Sequence, residues 1–235
     1  MTASKNIATK AFAPAILTAL LCVAAQADCG DSPGKGVDWT NCNKSKKILS
    51  GSNLQDAKFA NANLTSTDLR EANLTGANFE RATIVRASFS KAILVKANLS
   101  GSNGARARFK GTDLTGVTMV KAEAGRANFT DANLEGADLS KSDLPRAVFS
   151  GAKMSGVNLK FANIARADFR GAEVSGVDFT GTYTLRARFE GADLSSSKGL
   201  TQLQLDAACG NDQTKLPSGV SVPVSWPCAG TEETE

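Results

Sequence analysis

Six arginines recur at intervals of 20 residues: Arg86, Arg106, Arg126, Arg146, Arg166 and Arg186, each opening an Arg-Ala-x-Phe run. A guanidinium holds a carboxylate or phosphate through two parallel hydrogen bonds, so an ordered row of them could bind an anion. Four cysteines, Cys29, Cys42, Cys209 and Cys228, lie in pairs toward the two ends of the chain. Asp138 and Asp178 share a 20-residue phase, with Asn158 between them. Two carboxylates on one face could do acid–base work. Against that, none of the 235 residues is His. His-dependent triads, His general bases and His-ligated zinc or haem are therefore excluded. Ser and Thr are plentiful, but none has a candidate base beside it in the sequence. Phosphate loops, zinc spacings and dinucleotide fingerprints are absent. The sequence predicts no catalytic residue, no cofactor and no metal.

The element that must position these residues is a repeat of five. From Leu49 to Leu194, thirty positions end in 4 or 9, and twenty-seven of them are Leu, Phe, Ile, Met or Val. The exceptions are Gly104, Ala124 and Thr184. Two residues earlier in each unit, twenty of thirty are Ala. The intervening position is rich in Asn and Asp, as in Ala72-Asn73-Leu74 and Ala137-Asp138-Leu139, which makes the Asp138/Asp178 pair a product of the repeat. Neither a 3.6-residue nor a 2-residue period fits this pattern. One arrangement does: a short extended segment with a small and a large apolar residue facing inward, then a turn. Four such segments close a coil of 20 residues. Successive coils bond at strand spacing, about 4.8 Å, and make a rod of roughly 35 Å. Twelve of the 21 glycines fall where the chain turns, where a missing Cβ helps.

This pattern resembles the pentapeptide-repeat family, whose motif is Ala-(Asp/Asn)-Leu-x-x, across residues 49–194. The resemblance implies an all-β, right-handed quadrilateral β-helix. It implies little about activity, since members serve unrelated roles. Some relatives mimic DNA and bind type II topoisomerases. Those relatives are cytosolic and carry a strongly acidic face, which this chain lacks.

Stacking the sequence in coils of 20 separates four sides. One carries Leu49, Leu69, Phe89, Phe109, Phe129, Phe149, Phe169 and Phe189, an internal ladder ending in six consecutive Phe. The six Arg turn into the Phe units, so they line one outer corner. At about 5 Å apart they repel by about 0.8 kcal/mol per neighbouring pair in water before screening. The bland reading is a solvated column whose alkyl stems cover the corner. The sharper one is a linear site for an anionic partner, a protein tail or a polysaccharide. The preceding side is irregular, and Pro145, Phe161, Ala165, Tyr183 and Leu185 are expected to form one contiguous apolar patch on it.

The ends must be covered, because a solenoid leaves open ladders. Residues 1–27 read as a signal peptide: Lys5 and Lys10, an apolar run to Ala25, then Ala25-Gln26-Ala27 as a cleavage site. That run is shorter than the roughly 20 residues of a membrane anchor. Leu21, before Cys22, is too bulky for lipidation. No membrane insertion is expected after cleavage, and the location is periplasmic or extracellular. Residues 28–48 are read as an N-terminal cap, 49–198 as the repeat, and 199–235 as a C-terminal cap and tail. Thr201-x-x-Gln204 reads as a capping box for a short helix through Ala208, ended by Gly210. Leu200, Leu203 and Leu205 are expected to contact the last rung, and Thr231–Glu235 to be disordered. An even count of cysteines in an exported chain reads as disulfides. Cys29–Cys42 with Cys209–Cys228 is favoured, since the other pairings would bring the ends of a rod together. Each would contribute about 3 kcal/mol.

The chain has 27 Lys+Arg against 23 Asp+Glu, net +4. Loss of Lys5 and Lys10 with the leader makes that +2. A near-neutral balance predicts no nucleic-acid partner. The expected protein is a non-enzymatic exported scaffold, a monomer or weak dimer, with a protein or possible anionic-polymer partner.

Overall fold

The computed structural model describes residues 28–228. The leader reading of residues 1–27 and the tail reading of 231–235 lie outside them. The chain winds as a right-handed, four-sided β-helix, with one short helix, α1 (Gln202–Ala207), near its C-terminal end. Each side is three residues long, and its middle residue forms a parallel bridge to the residue 20 positions on, from Asp38↔Lys58 to Asp178↔Lys198. We number the sides by their large inward residue. Side 1 carries Leu49 to Phe189, side 2 Leu54 to Leu194, side 3 Trp39 to Phe179 and side 4 Lys44 to Thr184.

The five-residue unit explains itself locally. At most Asn and Asp of the repeat, the N–H two residues on donates to the side-chain oxygen, as Thr65 does to Asn63 at 3.0 Å and Ser140 to Asp138 at 3.0 Å; Asp143 is an exception, because Pro145 has no N–H. This Asx turn begins the corner. The corner closes with a backbone bond such as Ala57 N–H to Leu54 carbonyl, 3.1 Å, around a third residue with positive φ. That is the signature of a type II turn. Between rungs, each corner and each side donates N–H groups to carbonyls of the next coil.

Inside, the side 1 Phe rings stack face to face. Phe89, Phe109, Phe129, Phe149 and Phe169 succeed one another at 4.9–5.0 Å with planes within 14°. Phe79 and Phe179 reach across from side 3 and meet Phe89 and Phe189 edge-on. All of these rings are fully buried. The inward residues of all four sides form one hydrophobic core.

Both ends differ from the expectation. Residues 28–48 are not a separate cap throughout, because coil geometry already begins at Asp38. Trp39 is a side 3 core residue, 1% exposed and tilted onto Phe59 at 5.7 Å. The repeat is hidden there because Lys44 occupies an inward position. Its ammonium sits 3.7 Å over the Trp39 ring and donates to the Cys29 carbonyl at 2.7 Å. Cys42 fills an alanine position and is joined to Cys29. At the other end α1 replaces a segment of side 4, and the coil resumes with Arg188↔Cys209 and Asp193↔Lys215. The capping box forms, but the helix stops at Ala207 and its C-cap is Ala208. Gly210 does not end it. A Cβ there would meet the Trp226 ring at 2.2 Å, so glycine permits that ring to pack. Leu205 is buried as expected, whereas Leu203 is 79% exposed. Cys209 is joined to Cys228.

Candidate binding site

The corner between sides 4 and 1 holds Arg86, Arg106, Arg126, Arg146, Arg166 and Arg186 at its third turn position, with φ between 53° and 59°. Glycine occupies the equivalent place repeatedly at the other three corners. From Lys46 to Arg186 it never does so here. A left-handed conformation costs an ordinary residue roughly 1–2 kcal/mol relative to its relaxed state. Six arginines accept that cost in succession.

Their charges are also uncompensated. Arg70, Arg81, Arg170 and Arg188 pair with Asp68, Glu80, Asp168 and Glu190. Among the described residues, none of the six corner guanidinium groups has an ion pair or a hydrogen bond. The acids on the two flanking sides are engaged elsewhere: Asp143 on side 4 accepts from the Asn163 amide at 2.7 Å, and Asp168 on side 1 pairs with Arg170.

The turn position before each Arg is small or apolar. Ala105, Gly125, Pro145 and Ala165, with Arg106, Arg126, Arg146 and Arg166, line a shallow groove of about 420 Å³. Gly125 matters at one point: a Cβ would stand 3.3 Å from the Pro145 ring and fill the floor. Leu185 occupies the same turn position on the next rung, 39% exposed.

The single apolar patch expected on side 4 is instead two surfaces. Phe161 lies on the far corner of that side, 62% exposed, with its ring against Gly181. Tyr183 sits mid-face and lines a second hollow, about 530 Å³, with Thr201, Leu203, Gln204 and Ala207 of the C-terminal cap. Polar Glu123, Asp143 and Asn163 run down the face between Phe161 and the arginine groove. Sequence stacking put these residues on one side but could not resolve that a side has two corners and a middle. The groove floor was in the sequence all along, as the run of residues preceding each Arg.

The paired carboxylates Asp138 and Asp178 are occupied. Asp138 Oδ1 accepts from Ser140 N–H and the Asn158 amide, both at 3.0 Å. Asp178 accepts from Thr180 and pairs with Lys160 at 3.1 Å. Burial raises its pKa, but those hydrogen bonds and the Lys160 charge outweigh it and hold the group below the usual value. Among the described residues no group of His, Cys, Asp or Glu could hold a metal ion, and no helix is long and apolar enough to cross a membrane.

Rod and corner together define a repeat solenoid that presents ordered side-chain columns. A family model for pentapeptide repeats, in 8 copies, matches residues 48–84, 84–119, 125–160 and 144–181. The chain belongs to the pentapeptide-repeat family. It is similar to HetL, a pentapeptide repeat protein involved in heterocyst differentiation regulation in the cyanobacterium Nostoc sp. strain PCC 7120. Identity is 22%, the TM-score is 0.66, and 82% of this chain and 85% of that one are covered. It is also similar to trypsin-treated QnrB1, a plasmid-mediated fluoroquinolone resistance protein, at 20% identity and TM-score 0.57, over 80% and 93% of the two chains. At these identities the likeness is one of fold. No curated protein sequence matches the chain.

Proposed function

We propose that this protein is a non-enzymatic, exported binding scaffold that holds an anionic protein partner along the arginine corner. One observation carries the reading: a column of six arginines at one corner on left-handed backbone, none with an ion pair or hydrogen bond among the described residues, four of them lining an apolar groove. Fixed cations of one sign on a rigid surface favour a complementary anion. Export is supported by the two disulfides, which suit an oxidising compartment. The absence of His and the engagement of Asp138 and Asp178 within their own turns favour a role without catalysis. A DNA-mimicking role would need an acidic face, whereas this corner is cationic.

The test is photo-crosslinking from position 165 in the native envelope. The wild type should capture a partner that the variant Arg126→Glu with Arg146→Glu and Leu185→Asp fails to capture. Equal capture by both would remove this surface from the proposal. Recovery of the mature protein from the cytosol would remove export.

A further inference from the structure

The dimensions of the corner go further than its charge. We propose that its occupant is an acidic segment in the polyproline II conformation, with a carboxylate at every third residue. This rests on the anionic-partner reading above and adds the partner's shape.

Three features of the corner select that shape. The first is spacing. Successive arginines repeat with the rungs, whose Phe rings stack at 4.9 Å. Two rungs are therefore about 9.6 Å at ideal strand separation. A polyproline II helix has three residues per turn and returns to the same face every ~9.3 Å. Its carboxylates would meet alternate arginines, Arg106, Arg146 and Arg186 for one register, and stay in step along the ladder. A β-strand repeats on one face every ~6.8 Å, which falls between rungs.

The second is shape. The groove runs past four arginines, three rung intervals or about 14 Å. It is a shallow track along one edge, floored by one residue per rung, Ala105, Gly125, Pro145 and Ala165, and an extended chain can follow it from end to end.

The third is backbone satisfaction. The N–H groups of Arg106, Arg126, Arg146 and Arg166 already donate to Gly125, Pro145, Ala165 and Leu185 carbonyls on the next rung at 2.8–3.0 Å. The corner offers no free ladder to a pairing strand. A polyproline II segment needs none, because its backbone stays solvated. It also arrives pre-extended, so less order is lost on binding.

The experiment is fluorescence anisotropy with the oxidised protein and three labelled probes of equal charge: (Glu-Pro-Pro)4, an alternating Glu-Thr peptide with four Glu, and a tetragalacturonate. The (Glu-Pro-Pro)4 probe should bind about tenfold tighter than the Glu-Thr peptide. Arg126→Gln with Arg146→Gln, checked for an unchanged circular dichroism spectrum, should weaken it at least about tenfold. If the Glu-Thr peptide or the galacturonate binds as tightly, with the same arginine dependence, the polyproline II inference is overturned and the anionic corner stands. If no probe shows arginine-dependent binding, both fall.

Discussion

Arg166 and Phe169 are three residues apart and face opposite ways, and each repeats every 20 residues for its own reason. Phe169 is fully buried, with Phe149 stacked on one side and Phe189 on the other. Phe129 has the same environment between Phe109 and Phe149. Phe129→Ala should therefore cost about 3–5 kcal/mol, because the cavity is held open by rigid rungs above and below. A urea titration would read this as a lower midpoint. Arg166 makes the opposite trade. It holds φ at 59° with no partner for its charge. Glycine would relieve the left-handed conformation and the repulsion from Arg146 and Arg186, less the extra entropy of an unfolded glycine. Arg166→Gly should stabilise the protein by roughly 0.5–1 kcal/mol while weakening anion binding. Loss of stability in the same titration would show that the arginine stem packs the corner, in favour of the bland reading.

At the scale of elements, the caps were only half legible. The Thr201/Gln204 box is a local pattern and was readable as such. What the pattern could not show is that the Gln204 amide also donates to the Phe179 and Thr182 carbonyls at 2.9 and 2.8 Å. The helix thus satisfies the open end of sides 3 and 4 with a side chain. Gln204→Ala would leave the Thr182 carbonyl unpaired, remove one of the two donors to the Phe179 carbonyl, which keeps the Thr182 N–H, and break the box, at a cost of about 1–3 kcal/mol. Amide exchange at Thr201 and in the last coil should speed up, while the middle of the rod stays protected. Uniform protection would argue against this plug. The first coil is hidden in the sequence for a physical reason as well. Lys44 breaks the apolar pattern, yet its stem can lie inside because the ammonium finds the Trp39 ring and the Cys29 carbonyl. Only the tertiary arrangement supplies those partners.

At the scale of the whole molecule, there is no His in the sequence and the four cysteines among the described residues are paired. Its pH response belongs to carboxylates. The Lys215 ammonium, then Ser195, lower the Asp193 carboxyl to about 2. The Arg70 guanidinium, hydrogen-bonded to Asp68, holds it below its ordinary value. Burial raises the Asp168 pKa, but Arg170 and Arg188 outweigh it and the net direction is also down. Each group is easier to ionise folded than unfolded. Its stabilisation is complete above the unfolded value, about 3.9, and fades as pH falls through the folded one. The melting temperature should be level from about pH 5 to 8 and drop below about pH 4. A step between pH 5 and 8 would contradict this account.

The sequence by itself determined the coil. A strict five-residue register of small and large apolar residues has one way to bury both, and thirty units leave it no slack. It also determined that arginines and phenylalanines form columns, since any residue repeated every 20 must stack. Tertiary structure decided what those columns do. Arg170 and Arg188 find Asp168 and Glu190 two residues away in their own units, whereas the groups that surround a corner arginine come from other rungs and from the two sides that meet there. The groove floor is legible in the sequence as a 20-residue column, but only the folded coils bring its four small or ring-closed residues onto one edge beside the arginines.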